Sequence, residues 1–117
     1  MNSNIQDYII KTTNLDWKPL IEKGVHYKGV FIKSLRPDKS TNRSTTILLK
    51  FEQGASYPYH NHPAGEELLV LDGSAIVEGT ILHAGDYLYT PPGFKHAVTT
   101  KTGCSILLVV PEEVEIL

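Results

Sequence analysis

Along this chain apolar and polar positions change places every second residue in short bursts. The bursts are rich in β-branched and aromatic side chains, and no segment keeps a 3.6-residue apolar rhythm for three turns. The pattern predicts an all-β protein. Strands are expected at Val30 to Leu35, Thr45 to Glu52, Tyr57 to His62, Glu67 to Leu71, Ala75 to Glu78, Tyr87 to Thr90, His96 to Thr100 and Ser105 to Val110. The residues between them have definite turn chemistry. Asp72-Gly73 and Thr102-Gly103 suit tight hairpins, Ala84-Gly85-Asp86 suits a turn, and Pro91-Pro92-Gly93 suits a rigid corner. Arg36 to Ser44 is polar, carries a proline and reads as a surface loop. Strands recurring roughly every ten residues favour a sandwich or a small barrel.

Composition narrows the setting. A chain of 117 residues with 41% apolar and 21% charged side chains can bury one core without staples and is not disordered. Its net charge of −2 offers no basic field for nucleic acid or anionic lipid, so neither is expected as a partner. The single cysteine, Cys104, excludes an intrachain disulfide and a multi-thiolate metal site, and fits a reducing compartment. The first residues lack the cationic start and apolar stretch of a signal peptide, which makes the cytoplasm the expected location. The longest apolar run, Ile106 to Val110, ends at Pro111 and is far too short for a membrane span.

Three of the five histidines stand at strand ends beside Gly and Pro corners: His60, His62 and His96. In His60-Asn61-His62 the two imidazoles lie two residues apart, so on a strand they project from one face and can share one ion. Pro63-Ala64-Gly65 reads as a three-residue hairpin loop that sets His62 opposite Glu66 and Asn61 opposite Glu67. That register puts Glu66 on the imidazole face together with Leu68 and Val70, and sends Glu67 to the other side. Neutral imidazoles with one carboxylate suit iron(II), manganese, nickel, copper or zinc rather than calcium or magnesium.

The spacing extends beyond this cluster. Five residues separate Gly54 from His60, three separate His62 from Glu66, and six separate Glu66 from Gly73. Gly85 is then followed by five residues, Pro91-Pro92-Gly93, two more residues and His96. The two runs resemble the first and second motifs of the cupin superfamily. The resemblance implies a double-stranded β-helix, a small jelly-roll barrel. It also implies one divalent transition metal per chain (iron, zinc, manganese or nickel) held by His60, His62, Glu66 and His96. The stretch His60 to Gly73, with Trp17, Pro19, Gly24-Val25 and Lys33 before it, is most similar to the cupin domain of ChrR-type anti-sigma factors. Two features depart from the motif pattern: Thr100 stands where the second motif closes with Asn, and only eleven residues lie between Gly73 and Gly85. The expected organisation is one cupin domain over 1–117. It has a covering segment over about 1–28, a barrel over about 29–111 and a short tail. A barrel occupying this length leaves no room for the helical domain that holds a sigma partner, so anti-sigma activity is not expected.

Other residues read more simply. His26 and His83 lie outside both motifs and are expected at the surface, and Cys104 is a small core residue. Tyr57, Tyr59, Tyr87 and Tyr89 flank the ligands and are expected to line the barrel, with a substrate contact open to one of them. Trp17 is expected to plug the barrel, and Glu112, Glu113 and Glu115 form a solvated tail. Leu69 and Leu71 point away from the metal face and need cover, which predicts a homodimer. Two functions fit. A six-coordinate ion with two open positions would make a metal-dependent enzyme acting on a small molecule, with dioxygenase chemistry on an enolisable substrate within reach. A closed tetrahedral site would instead make a sensing module whose metal or ligand state is read by another protein. No separate general base is identifiable.

Overall fold

The computed structural model describes residues 3–38, 40 and 43–117. Lys39, Thr41 and Asn42, in the middle of the expected loop, lie outside the described residues, as do Met1 and Asn2. Two short 3-10 turns (Ile5–Tyr8 and Thr12–Asn14) precede, among the described residues, twelve strands. These are β1 (Lys18–Glu22), β2 (Val25–Ser34), β3 (Pro37–Asp38), β4 (Arg43–Ser44), β5 (Thr46–Phe51), β6 (Ser56–Asn61), β7 (Glu66–Val77), β8 (Thr80–His83), β9 (Tyr87–Thr90), β10 (Lys95–Thr99), β11 (Cys104–Val109) and β12 (Glu115–Ile116). Ten of them form one curled antiparallel sheet in the order β1, β2, β5, β11, β7, β10, β6, β12, with β8 and β9 also paired to β7. The result is an all-β half-barrel. None of the described helices is long and apolar enough to cross a membrane.

The roll turns on β7. Its first part, Glu67 to Gly73, pairs with β11 while Glu66 to Leu69 pairs with β9. Its second part, Ser74 to Val77, pairs with β8, and Ile76 and Val77 also pair with β10. The strand therefore leaves one layer and enters the other at Gly73, and the hairpin expected at Asp72-Gly73 does not form. Gly73 has a φ of 69°, and a Cβ there would stand 2.0 Å from the Gly103 carbonyl oxygen. The glycine makes room for a neighbouring backbone rather than a reversal. The reversal comes at Glu78-Gly79, where both residues have positive φ (48° and 76°), as a two-residue hairpin turn requires.

The hairpin expected at Thr102-Gly103 is likewise a crossing between layers, since β10 lies beside β6 and β7 while β11 lies beside β5 and β7. Thr100 holds that crossing. It is buried, its hydroxyl donates to the Ser74 carbonyl (2.7 Å) and accepts from the Gly103 amide (2.9 Å).

Alternate residues of three adjacent strands fill the interior: Leu49 and Phe51 on β5, Ile106 and Leu108 on β11, and Leu68 and Val70 on β7. Each such buried side chain contributes about 2 kcal/mol of transfer free energy. Cys104 joins this core, and burial pushes its thiol pKa up, which leaves it unreactive.

The N-terminal part differs from expectation. The first expected strand is the latter part of β2, and β1 forms a hairpin with it that brings Leu20 into the core. Trp17 does not plug the barrel. It lies on the outer face of the sheet, with the Lys33 and Lys50 ammonium groups 4.6 and 5.0 Å from its ring centroid. The expected loop from Arg36 to Ser44 carries a small ladder of its own, β3 with β4. The acidic tail is not simply solvated either. Glu115 and Ile116 pair with Asn61 and His60 of β6, and Asn61 Nδ2 donates to Glu115 Oε1 (2.6 Å).

Candidate metal centre

Four chain segments bring the donors together. His60 lies on β6 and pairs with His96 on β10, so the two motifs meet across one ladder. On β6 two residues, Pro58 and Tyr59, lie between Tyr57 and His60 where the partner strand has only Ala97 between Val98 and His96, a β-bulge at Pro58-Tyr59. The bulge turns both Tyr57 and His60 inward, which a strict two-residue alternation forbids. His62 follows the strand, and a tight turn closed by Gly65 N–H to His62 O (3.1 Å) leads to Glu66, the first residue of β7. Gly93 N–H also donates to His62 O (3.0 Å), tying the Pro91-Pro92-Gly93 corner to the same turn.

The direct pairing of His62 with Glu66 and of Asn61 with Glu67 does not occur. β6 pairs with β10 and β12, whereas Glu66 and Glu67 pair with Thr90 and Tyr89 of β9. The turn crosses between layers, which local loop length cannot reveal. The facing of the two glutamates is nonetheless as expected: Glu66 is buried, and Glu67 is exposed and accepts from the Tyr87 hydroxyl (2.7 Å).

The donor atoms converge. His62 Nε2 lies 2.9 Å from His60 Nε2, 3.2 Å from His96 Nε2 and 3.0 Å from Glu66 Oε2, and His96 Nε2 lies 3.5 Å from Glu66 Oε1. One donor atom from each residue falls within 4.8 Å of all the others, and the four side chains are 0 to 5% exposed. His60 Nδ1 stands 2.6 Å from the Pro58 carbonyl, which can only accept, so its proton is on Nδ1 and its Nε2 lone pair faces the cluster. Burial lowers the His60 pKa to about 4, and burial lowers that of His96 as well, so both imidazoles are neutral at pH 7.

A single proton on His62 Nε2 can serve only one of its three neighbours, and Glu66 Oε1 is buried without a hydrogen-bond donor. A cation at the focus of these donors satisfies all of them at once, so His60, His62, Glu66 and His96 fit a metal ion and could hold one.

Three of the four residues, His60, His62 and Glu66, open onto a cavity of about 800 Å³ whose walls are mainly apolar. Tyr57 and Glu22 line the same cavity. The Tyr57 hydroxyl donates to Glu22, and burial, followed by this bond, raises the Tyr57 pKa far above its ordinary value. Glu22 was not singled out by the sequence, because β1 carries no motif and its contact with Tyr57 lies 35 positions along the chain. Tyr59, Tyr87 and Tyr89 are exposed rather than barrel-lining, and His26 and His83 are exposed and apart from the cluster.

Known proteins agree with this architecture. A polyketide cyclase, RemF from Streptomyces resistomycificus, has a TM-score of 0.74 at 19% identity, with 93% of this chain and 84% of that one covered. An acetylacetone dioxygenase from Acinetobacter johnsonii has a TM-score of 0.78 at 16% identity, with 93% and 76% covered. At such identities the likeness concerns the fold. The DNA damage-repair/toleration protein DRT102 of Arabidopsis thaliana is 37% identical over 60 residues, which is 46% of this chain. The match spans only 19% of that longer protein. The model of the ChrR cupin-like domain matches residues 5–113. With the two motifs meeting on one ladder inside a half-barrel, this chain belongs to the ChrR cupin-like family.

Proposed function

We propose that the chain is a metal-dependent oxidoreductase of dioxygenase type, acting on a small enolisable molecule and holding one divalent transition metal on His60, His62, Glu66 and His96. The observation that carries this reading is that four buried donors share one focus and three of them open onto a cavity able to admit a small molecule. Two donors about 2.1 Å from one ion stand about 3.0 Å apart at 90° and about 3.4 Å apart at the tetrahedral angle. The separations of 2.9, 3.0, 3.2 and 3.5 Å among these donors span that range, as donors to one shared ion do. When bound, such an ion supplies Lewis acidity and, as iron(II), access to oxygen chemistry. The chain's own groups do the rest. The Pro58 carbonyl fixes the His60 tautomer, Leu49 and Phe51 help exclude water, and the cavity brings a ligand to the donors. The fold likeness to an acetylacetone dioxygenase supports a β-diketone as the first molecule to try.

The test is spectroscopic. Acetylacetone added to cobalt-substituted protein is expected to change the visible spectrum, because a chelating diketone displaces exchangeable water. A four-coordinate spectrum that diketone leaves untouched would end the enzyme reading. The sensing module would then lead, favoured by the C-terminal strand β12, which rests on the strand carrying His60.

The proposal includes a homodimer in the cytoplasm. Leu71, Tyr87 and Tyr89 are exposed on the outside of the sheet, and Leu69 beside them is only half-buried. Light scattering at tens of micromolar is expected to give twice the chain mass, and a mass of one chain would reject the dimer.

A further inference from the structure

The main cavity carries a second polar feature apart from the four donors. Glu22 ends β1 and Tyr57 sits on the bulged part of β6, yet the tyrosine hydroxyl donates to Glu22 Oε1 inside the cavity that His60, His62 and Glu66 also line. Tyr57 is buried, with its ring edge-on to His60 at 4.9 Å between centroids. The pair is thus next to the metal donors. Around it the wall is mainly apolar, formed by residues such as Leu20, Leu49, Phe51, Ile106 and Leu108, and the exposed Lys23 of the same lining is paired with Glu113.

The hydrogen inventory of the pair is one-sided. A carboxylate only accepts, and the one hydroxyl proton of Tyr57 is engaged by Glu22. Among the described residues no donor engages Glu22 Oε2. What the pair presents to the cavity is therefore acceptors alone, a carboxylate oxygen and the lone pairs of a phenol. A ligand acceptor placed there would meet only other acceptors, whereas a ligand hydroxyl would gain a hydrogen bond to a charged group. Size adds a second constraint. A cavity of about 800 Å³ lies near the upper end of ligand sites, and acetylacetone would fill a minor part of it.

We infer that Glu22 and Tyr57 form a donor-selecting anchor. The cavity takes a mostly apolar, oxygen-chelating molecule larger than acetylacetone, whose hydroxyl group reaches this pair while its chelating oxygens reach the metal donors. The chelating end rests on the metal reading above; the anchor does not. Glu22 and Tyr57 are positioning residues in this scheme, setting which molecule lies against the donors.

The experiment uses the full chain loaded with zinc, which is redox-silent, so that the ligand is bound and not consumed. Calorimetry compares benzoylacetone with its ring-hydroxylated and ring-methoxylated derivatives at each ring position. One hydroxyl isomer is expected to bind about tenfold more tightly than both its methoxy counterpart and benzoylacetone itself. In Glu22→Gln, whose amide can turn an N–H toward an acceptor, and in Glu22→Met, which frees the Tyr57 proton, the hydroxyl-to-methoxy ratio is expected to fall to about one. Metal content is measured for each variant and is expected to stay near one zinc per chain. Equal affinities of all hydroxyl and methoxy pairs in the unaltered protein, or a ratio that survives both Glu22 changes, would overturn the anchor. Benzoylacetone binding that is the same with and without zinc would instead overturn the metal reading, and the hydroxyl-to-methoxy ratio would still decide for or against the anchor.

Discussion

Replacing His60, His62 or His96 by alanine is expected to lower metal content after reconstitution from near one ion per chain to below about a tenth of that. Even a residue that only supports a ligand is worth 10- to 100-fold in affinity, and each of these imidazoles points its Nε2 directly into the cluster. Glu66→Ala should lose metal far more than Glu67→Ala. Glu66 faces His62 and His96 at 3.0 and 3.5 Å, whereas Glu67 lies outside with Tyr87. Elemental analysis of the five variants decides the matter. Unchanged metal in all three histidine variants would remove the site, and a larger loss from Glu67→Ala would reverse the facing of β7.

Gly73→Ala is expected to cost more than about 4 kcal/mol, lowering the melting temperature by roughly 15 °C or more, or to prevent folding. Its Cβ would stand 2.0 Å from the Gly103 carbonyl oxygen and 2.9 Å from Cys104 Cα, both backbone atoms with no flexible end to move aside. The positive φ adds to this. Gly79→Ala is the control, since it also has positive φ but nothing within 4 Å of the added methyl, and should cost about 1 kcal/mol. Thermal unfolding followed by circular dichroism compares them. A Gly73→Ala variant that melts no lower than Gly79→Ala would mean that β7 does not pass so close to the Gly103 turn.

These two predictions rest on parts of the molecule that were unequally legible in the sequence. The strands could be read because one face of each is buried, and Leu68, Val70, Ile106 and Leu108 alternate with exposed or half-buried neighbours accordingly. The convergence of His60, His62, Glu66 and His96 could be read because their spacing follows from turns that are local: the turn at His62 to Gly65 and the corner at Pro91 to Gly93.

The errors share a physical origin. Asp72-Gly73 and Thr102-Gly103 look like reversals, but a glycine can serve close backbone approach as well as a turn, and only the partner strand decides which. The pairing of His62 with Glu66 failed for a related reason, since whether a short turn stays in one layer or crosses to the next is a property of the whole roll. Tyr57 lies inward as expected, but Tyr59, also expected to line the barrel, is exposed, because one extra residue in β6 shifts the alternation between Tyr57 and His60, for which Pro58 was the available sign. Glu22 had no local sign at all, because its meaning comes from a tyrosine on another strand.

The two-residue strand β12 bears on self-association. Among the described residues the sheet has four open margins, at β1, β8, β9 and β12, each a row of amides and carbonyls ready to accept a foreign strand. The β1 margin carries Lys18, Pro19 and Lys23 in and beside it, a charge-and-proline defence that discourages such addition. The β6 margin has no comparable defence, and Ser56 to Asn61 bears two tyrosines and a single proline. There Glu115, Ile116 and the Leu117 amide occupy the hydrogen-bonding positions of His60, Asn61 and Tyr59. Loss of these pairings would turn the strand that carries His60 into a template for aggregation, so the few bonds of β12 act as a guard on colloidal behaviour.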